Sequence, residues 1–136
     1  VNNKKLPFQV YDRHGLKQED VLKLMGQSAI YIGNNISDGM PNTVLEAMIM
    51  GAFPIQSNPG GATAEIIDEG NNGFLIQDPE DIEEIRNLIL KAIQNQEWIA
   101  SASMKNYKLA KEYVDLKTNQ QKIVALYQQI ENDTCE

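Results

Sequence analysis

As far as Asn95, short apolar runs alternate with segments of helical periodicity, and this alternation constrains the fold more than any other feature of the chain. Phe8–Tyr11, Ala29–Gly33, Phe53–Gln56 and Gly73–Ile76 read as strands. Ile30, Tyr31 and Ile32 follow one another without a polar break, the pattern of a strand buried on both faces. Lys17–Gln27 reads as a helix through Val21, Leu24, Met25 and Ser28, with Glu19 and Asp20 in its first turn. Asn42–Met50, ended by Gly51, is a second helix, and Thr63–Asp68 a short helical turn. Asp81–Asn95 is amphipathic, with Ile82, Ile85, Leu88, Ile89, Ala92 and Ile93 on one face. Trp98–Tyr113 and Leu116–Glu131 add two helices, docked by Trp98, Tyr107, Tyr113 and Tyr127. The expectation is an α/β, Rossmann-like parallel sheet with flanking helices and right-handed crossovers. It forms a single partial domain over 1–136, with an α/β core at 1–95 and C-terminal helices at 96–136.

Open parallel sheets bind ligands at the carboxyl ends of their strands. Those ends are Asp12–Leu16, Asn34–Pro41, Ser57–Gly61 and Gln77–Pro79, expected along one edge.

Charge narrows the ligand. The chain has 136 residues, 12 Lys+Arg against 19 Asp+Glu, and a net charge of -7, which disfavours a broad nucleic-acid or anionic-membrane surface. No Lys or Arg lies between Lys23 and Arg86. An anion bound there must rely on backbone groups or on cations from elsewhere. The uncharged stretch Ala47–Ala64 is broken by Gly and Pro and cannot span a membrane. No signal peptide is read, and the lone Cys135 forms no internal disulfide, which suits a reducing, cytoplasmic setting. Val1 in place of Met points to a piece of a longer protein.

The segment Ser37–Met48 supplies an acid, a Gly turn, a helix start and a second acid one turn on. Free N–H groups and the dipole at a helix start form an anion site without a side-chain cation. Glu46, inside that helix, would repel a phosphate alongside it but accepts from two vicinal hydroxyls, as in a ribose. Asp38 can accept from sugar hydroxyls on the other side of the phosphates. Two carboxylates flanking a phosphate cradle suit a nucleotide sugar.

With these residues in view, the chain from about residue 8 to 127 resembles the donor-binding, C-terminal half of GT-B glycosyltransferases of family 4, the group 1 transferases. The resemblance is carried by Asp38-Gly39-Met40-Pro41, Val44-Leu45-Glu46-Ala47-Met48, Gly51, Pro54-Ile55, Gly60-Gly61, Glu65, Asn72-Gly73-Phe74-Leu75 and Asp78-Pro79, all in order. It implies a retaining transferase that moves a sugar from a nucleotide-diphosphate donor to an acceptor hydroxyl in surface or capsular polysaccharide synthesis. Asp38 and Glu46 are the catalytic candidates: Glu46 binds the ribose and Asp38 contacts the transferred sugar. Backbone amides near Met40 to Thr43 (Met40, Pro41, Asn42 and Thr43) hold the diphosphate, Gly39, Gly60 and Gly61 are further substrate-binding residues, and Gly15 and Leu16 lie near the base. No cofactor or metal is implied beyond the donor itself. A glycan or lipid-linked acceptor would reach the site through an N-terminal domain absent from this chain, through which membrane association would also come. Such enzymes usually carry Glu where this chain has Asp38, one methylene shorter. Their Arg and Lys that neutralise the leaving diphosphate precede the residues seen here.

Plainer roles stand beside these. Thr43-x-x-Glu46 is also a capping box, Asp38-Gly39 an ordinary turn, and Gly60-Gly61 a strand-to-helix turn. His14 reads as a solvated side chain rather than a base, and Met48, Ile49 and Met50 as core. A GT-B nucleotide-sugar epimerase and a non-catalytic GT-B partner module are the alternative functions.

Overall fold

The computed structural model describes residues 9–12 and 14–134. In chain order these form α1 (Gln18–Gln27), β1 (Ile30–Gly33), α2 (Asn42–Ile49), β2 (Phe53–Ser57), a 3-10 turn (Ala62–Glu65), β3 (Phe74–Ile76), α3 (Ile82–Ile93), α4 (Gln96–Val114) and α5 (Leu116–Thr134). The three strands lie in the order β1-β2-β3, all parallel, with Ile30 opposite Phe53 and Ile55 opposite Phe74. The α/β fold with flanking helices is therefore as expected.

The strand expected at Phe8–Tyr11 is not seen where the chain is described. Gln9–Asp12 run irregularly, and Phe8 lies outside the described residues. One consequence falls on β1. Among the described residues it pairs with β2 alone, and Ile32 is 44% exposed, so β1 is not buried on both faces. The strand covered on both faces is β2, with every residue from Phe53 to Ser57 buried.

Pro54 sits within this central strand, where proline removes a ladder bond. The Phe53 N–H bonds toward β1, to the Ala29 carbonyl at 2.9 Å, so alternation turns the empty position of Pro54 toward β3. Pairing with β3 begins only at Ile55. Gly73 passes the ring at that point, where a Cβ would stand 2.9 Å from both Pro54 Cγ and the Pro54 carbonyl oxygen.

On one face of the sheet, Phe53, Phe74 and Trp98 pack ring against ring, with centroids 4.9 to 5.4 Å apart, joined by Ile55, Ile76, Ala92, Ile99 and Ala102. On the other, Val44, Leu45 and Met48 of α2 bury against Ile66, Ile67 and Ala110. Helix α1 closes the end of this layer, with Val21 and Met25 on Ala47 and Ala52. Gly51 ends α2 at φ 91°, and the Ala52 N–H reaches back to the Ala47 carbonyl at 2.9 Å.

Asn72 binds the loop before β3. Its Oδ1 accepts from the Asp68 N–H and its Nδ2 donates to the Ile66 carbonyl, while Nδ2 of the fully buried Asn106 on α4 donates to the Asn72 carbonyl at 2.8 Å.

Three expectations about the helices are corrected. Met50, expected in the core, caps the end of α2 and is 40% exposed. Ile82 is the first residue of α3 and is 77% exposed, so it does not share the buried face of Ile85, Leu88, Ile89 and Ala92. Tyr107, Tyr113 and Tyr127 do not dock the tail, for all three are exposed; α4 is anchored by Trp98, Ile99, Ala102, Asn106 and Ala110. In α5, Leu116, Ile123, Val124, Leu126, Tyr127 and Ile130 are all exposed. No helix among the described residues is long and apolar enough to cross a membrane. Cys135 lies outside them.

Candidate functional site

The carboxyl ends of β1, β2 and β3 lie along one edge and are tied to one another. Ser57, last in β2, accepts the Asn35 N–H at 2.8 Å and donates its hydroxyl to the Asn35 carbonyl at 2.7 Å. Asn34 Nδ2 donates to the Pro79 carbonyl at 2.7 Å, joining the loops after β1 and β3. Neither of these two side chains stands in a sequence motif. Each bond joins segments far apart in the chain, so spacing carried no signal of them.

The β1 loop delivers the chain to α2. Pro41 precedes the first turn with no side-chain cap, and its carbonyl accepts the Val44 N–H at 3.1 Å. The capping box does not form. Thr43 Oγ1 instead accepts from the Tyr31 hydroxyl at 3.0 Å, and Glu46 turns to α1, where Oε1 accepts from Gln18 Nε2 at 3.0 Å. Its other oxygen, Oε2, has no partner among the described residues.

Fewer amides are open to an anion than the sequence implied. Pro41 has no N–H, and the Gly39 N–H is taken by Asp38 Oδ1 at 2.8 Å. Among the described residues the N–H groups of Met40, Asn42 and Thr43 make no hydrogen bond. Asn42 and Thr43 are the first two donors of α2, with the dipole behind them, and Met40 adds a third from the loop just before its N-cap.

Asp38 is engaged within its own loop. Oδ2 accepts from Asn35 Nδ2 at 2.6 Å while Oδ1 holds the Gly39 amide, so the carboxylate shapes the turn. Gly39 itself has neither a positive φ nor a neighbour that a Cβ would meet, which leaves the loop open to approach.

Gly60 and Gly61 both adopt positive φ, at 79° and 86°, and turn β2 into the 3-10 turn. The Gly60 Cβ position lies 3.8 Å from the Asp38 carbonyl, so the two loops run side by side. Gly15, at φ 77°, and the exposed Leu16 lead into α1, one residue ahead of Lys17 and the Gln18 that meets Glu46. His14 is exposed and pairs with Asp12 at 2.7 Å, a solvated loop contact. A broad open groove runs from this segment past β1 to Asp38, Met40, Pro41, Asn42 and Thr43.

The structure thus gathers the loop before α1, the start of α2, Asp38 and Glu46 at one sheet edge, with Gly60-Gly61 beside Asp38. No side-chain cation comes from residues 24–85.

Comparison with known proteins gives the family. The sequence model described as glycosyl transferases group 1 matches residues 3–113, most of the chain. No curated protein matches it. Among solved structures, one titled "Crystal Structure of TarM" matches with a TM-score of 0.67 at 19% identity, over 77% of this chain and 21% of that one. At that identity the likeness carries the fold, and this chain spans about a fifth of that protein. The chain belongs to the group 1 glycosyl transferases, as part of a GT-B C-terminal domain.

Proposed function

We propose that this domain binds the nucleotide-diphosphate sugar of a retaining glycosyltransferase of polysaccharide synthesis. The observation that carries the reading is the uncapped start of α2. Its open amides at Asn42 and Thr43, with that of Met40 just before the cap, lie at the loop after β1 and within about a turn or two of Glu46, whose Oε2 is free among the described residues. The amides and the helix dipole take the diphosphate, and Glu46 takes the ribose hydroxyls, which as neutral donors suit a carboxylate beside an anion. Gly15 and Leu16 approach the base. The β1 and β2 loops, with Asp38 and Gly60-Gly61, form the wall nearest the sugar.

In this reading the acceptor hydroxyl loses its proton to the departing diphosphate oxygen, and the protein contributes positioning and stabilisation of leaving-group charge. The positive charge for that step comes from outside residues 24–85, and the acceptor from another domain. Retention and the polysaccharide role rest on the family resemblance.

Calorimetric titration of the full-length protein with UDP, ADP and GDP tests the reading. At least one is expected to bind, and Glu46→Ala to weaken it by about 1–3 kcal/mol, roughly 5- to 150-fold. Unchanged affinity would refute the role of Glu46. Release of free sugar from donor alone, without acceptor, would mark an epimerase instead.

A further inference from the structure

We infer that Gln18 is the positioning residue of Glu46, and that the two side chains together read the diol of the ribose. The inference rests on the nucleotide reading above. Gln18 opens α1 directly after the Gly15-Leu16-Lys17 segment, and its Nε2 donates to Glu46 Oε1 at 3.0 Å across 28 residues of sequence. The approach is fixed by packing. Val21 and Met25, on the turns of α1 that follow Gln18, are buried against Ala47, the residue after Glu46. Gln18 and Glu46 therefore sit at the open end of a buried seam, the first exposed and the second half-buried.

The terminal torsion of a glutamate is broad, so an untethered carboxylate would present either oxygen in many orientations. One bond to Oε1 selects the orientation and leaves Oε2 as the open acceptor. A carboxylate only accepts, so the Gln18 amide must turn an N–H toward it, which places the amide Oε1 on the other side. That oxygen has no partner among the described residues. The pair thus offers two acceptors, one charged and one neutral, to two vicinal hydroxyl donors. Neutrality at Gln18 matters as well. A lysine there would pair with Glu46, weaken it as an acceptor and draw phosphate toward the ribose position. An amide orients the carboxylate without either effect.

The test is the ratio of affinities for ribo- and 2′-deoxyribonucleoside diphosphates, measured by titration of the full-length protein with UDP, ADP, GDP and their 2′-deoxy forms. Taking the ratio within each variant cancels any unfolded fraction. Wild type is expected to prefer the ribo form, and Gln18→Ala to reduce that preference roughly 2- to 12-fold, the effect of one hydrogen bond. Gln18→Glu keeps the shape but sets two carboxylates against each other, and is expected to reduce it at least as much; a packing role would leave it unmoved. If Glu46→Ala abolishes the preference while both Gln18 variants retain it, the role of Gln18 is overturned and the nucleotide reading stands. A preference that survives Glu46→Ala, or no binding of any of these nucleotides, overturns both.

Discussion

Gly33 ends β1 where the loop to the site begins, and it faces Gln56 in the register of the sheet. It is buried, and its φ is not positive, so backbone conformation does not require glycine there. Space does. A Cβ at Gly33 would fall on Gln56 Oε1 and within 2.8 Å of both Gln56 Cδ and the Tyr31 hydroxyl. Gln56 is fully buried in the central strand, and its Oε1 has no hydrogen-bond partner among the described residues. The side chain cannot swing into solvent to make room. Gly33→Ala should therefore cost about 1–3 kcal/mol, the usual range for overpacking a filled interior. At about 2 cal/mol/K of unfolding entropy per residue, 2 kcal/mol lowers the Tm of a unit of this size by about 7 °C. Shortening Gln56 removes the larger part of the clash and leaves the approach to the Tyr31 hydroxyl, so in a Gln56→Ala background the new methyl should cost at least about 1 kcal/mol less. Urea unfolding of the four proteins of this cycle gives the coupling directly. Additivity within about 0.5 kcal/mol would refute the steric reasoning.

Two other perturbations have defined outcomes. Asn106→Ala removes the buried donor to the Asn72 carbonyl and should cost about 1–3 kcal/mol, with faster amide exchange through residues 66–73; protection unchanged there would contradict the tie. Asp115 precedes α5, and its carboxyl is held below its ordinary value of 3.8 by hydrogen bonds from the Thr118 side chain and backbone N–H. Because the folded value is the lower one, this contribution is complete above the ordinary carboxylate range and is lost as pH falls through the depressed value. The first turn of α5 should fray on acidification below 3.8, read by amide exchange at residues 117–119, and Asp115→Asn should abolish that pH dependence.

Much of the fold was legible because its cause is local. The apolar runs at β1, β2 and β3, the periodicity of α1 and α3, and Gly51 after α2 each express a steric or burial preference carried by neighbouring residues. Strand cover was misread because it depends on which distant segments pack over and beside the strand. Ile30-Tyr31-Ile32 has the composition of a doubly covered strand, yet it pairs on one side among the described residues. The tail tyrosines misled for a similar reason: aromatic residues dock a helix only if they point inward, and at Tyr107 and Tyr113 the buried face of α4 is filled instead by Ala102, Asn106 and Ala110.

The site divides along the same line. By itself the sequence determined that an acid, a turn, a helix start and a second acid follow one another at a strand edge in a window without cations, because those are matters of order and composition. Tertiary structure alone decided what Thr43 and Glu46 do there. The Asp38 bonds to Asn35 and Gly39 are local to the loop, but it took the packing of α2 beside β1 to draw Thr43 to Tyr31. Tertiary structure also set Gln18 against one oxygen of Glu46. A hydrogen bond needs its partners within about 3 Å, and whether residues 28 apart come that close depends on how α1 packs on α2, which no spacing in the chain encodes.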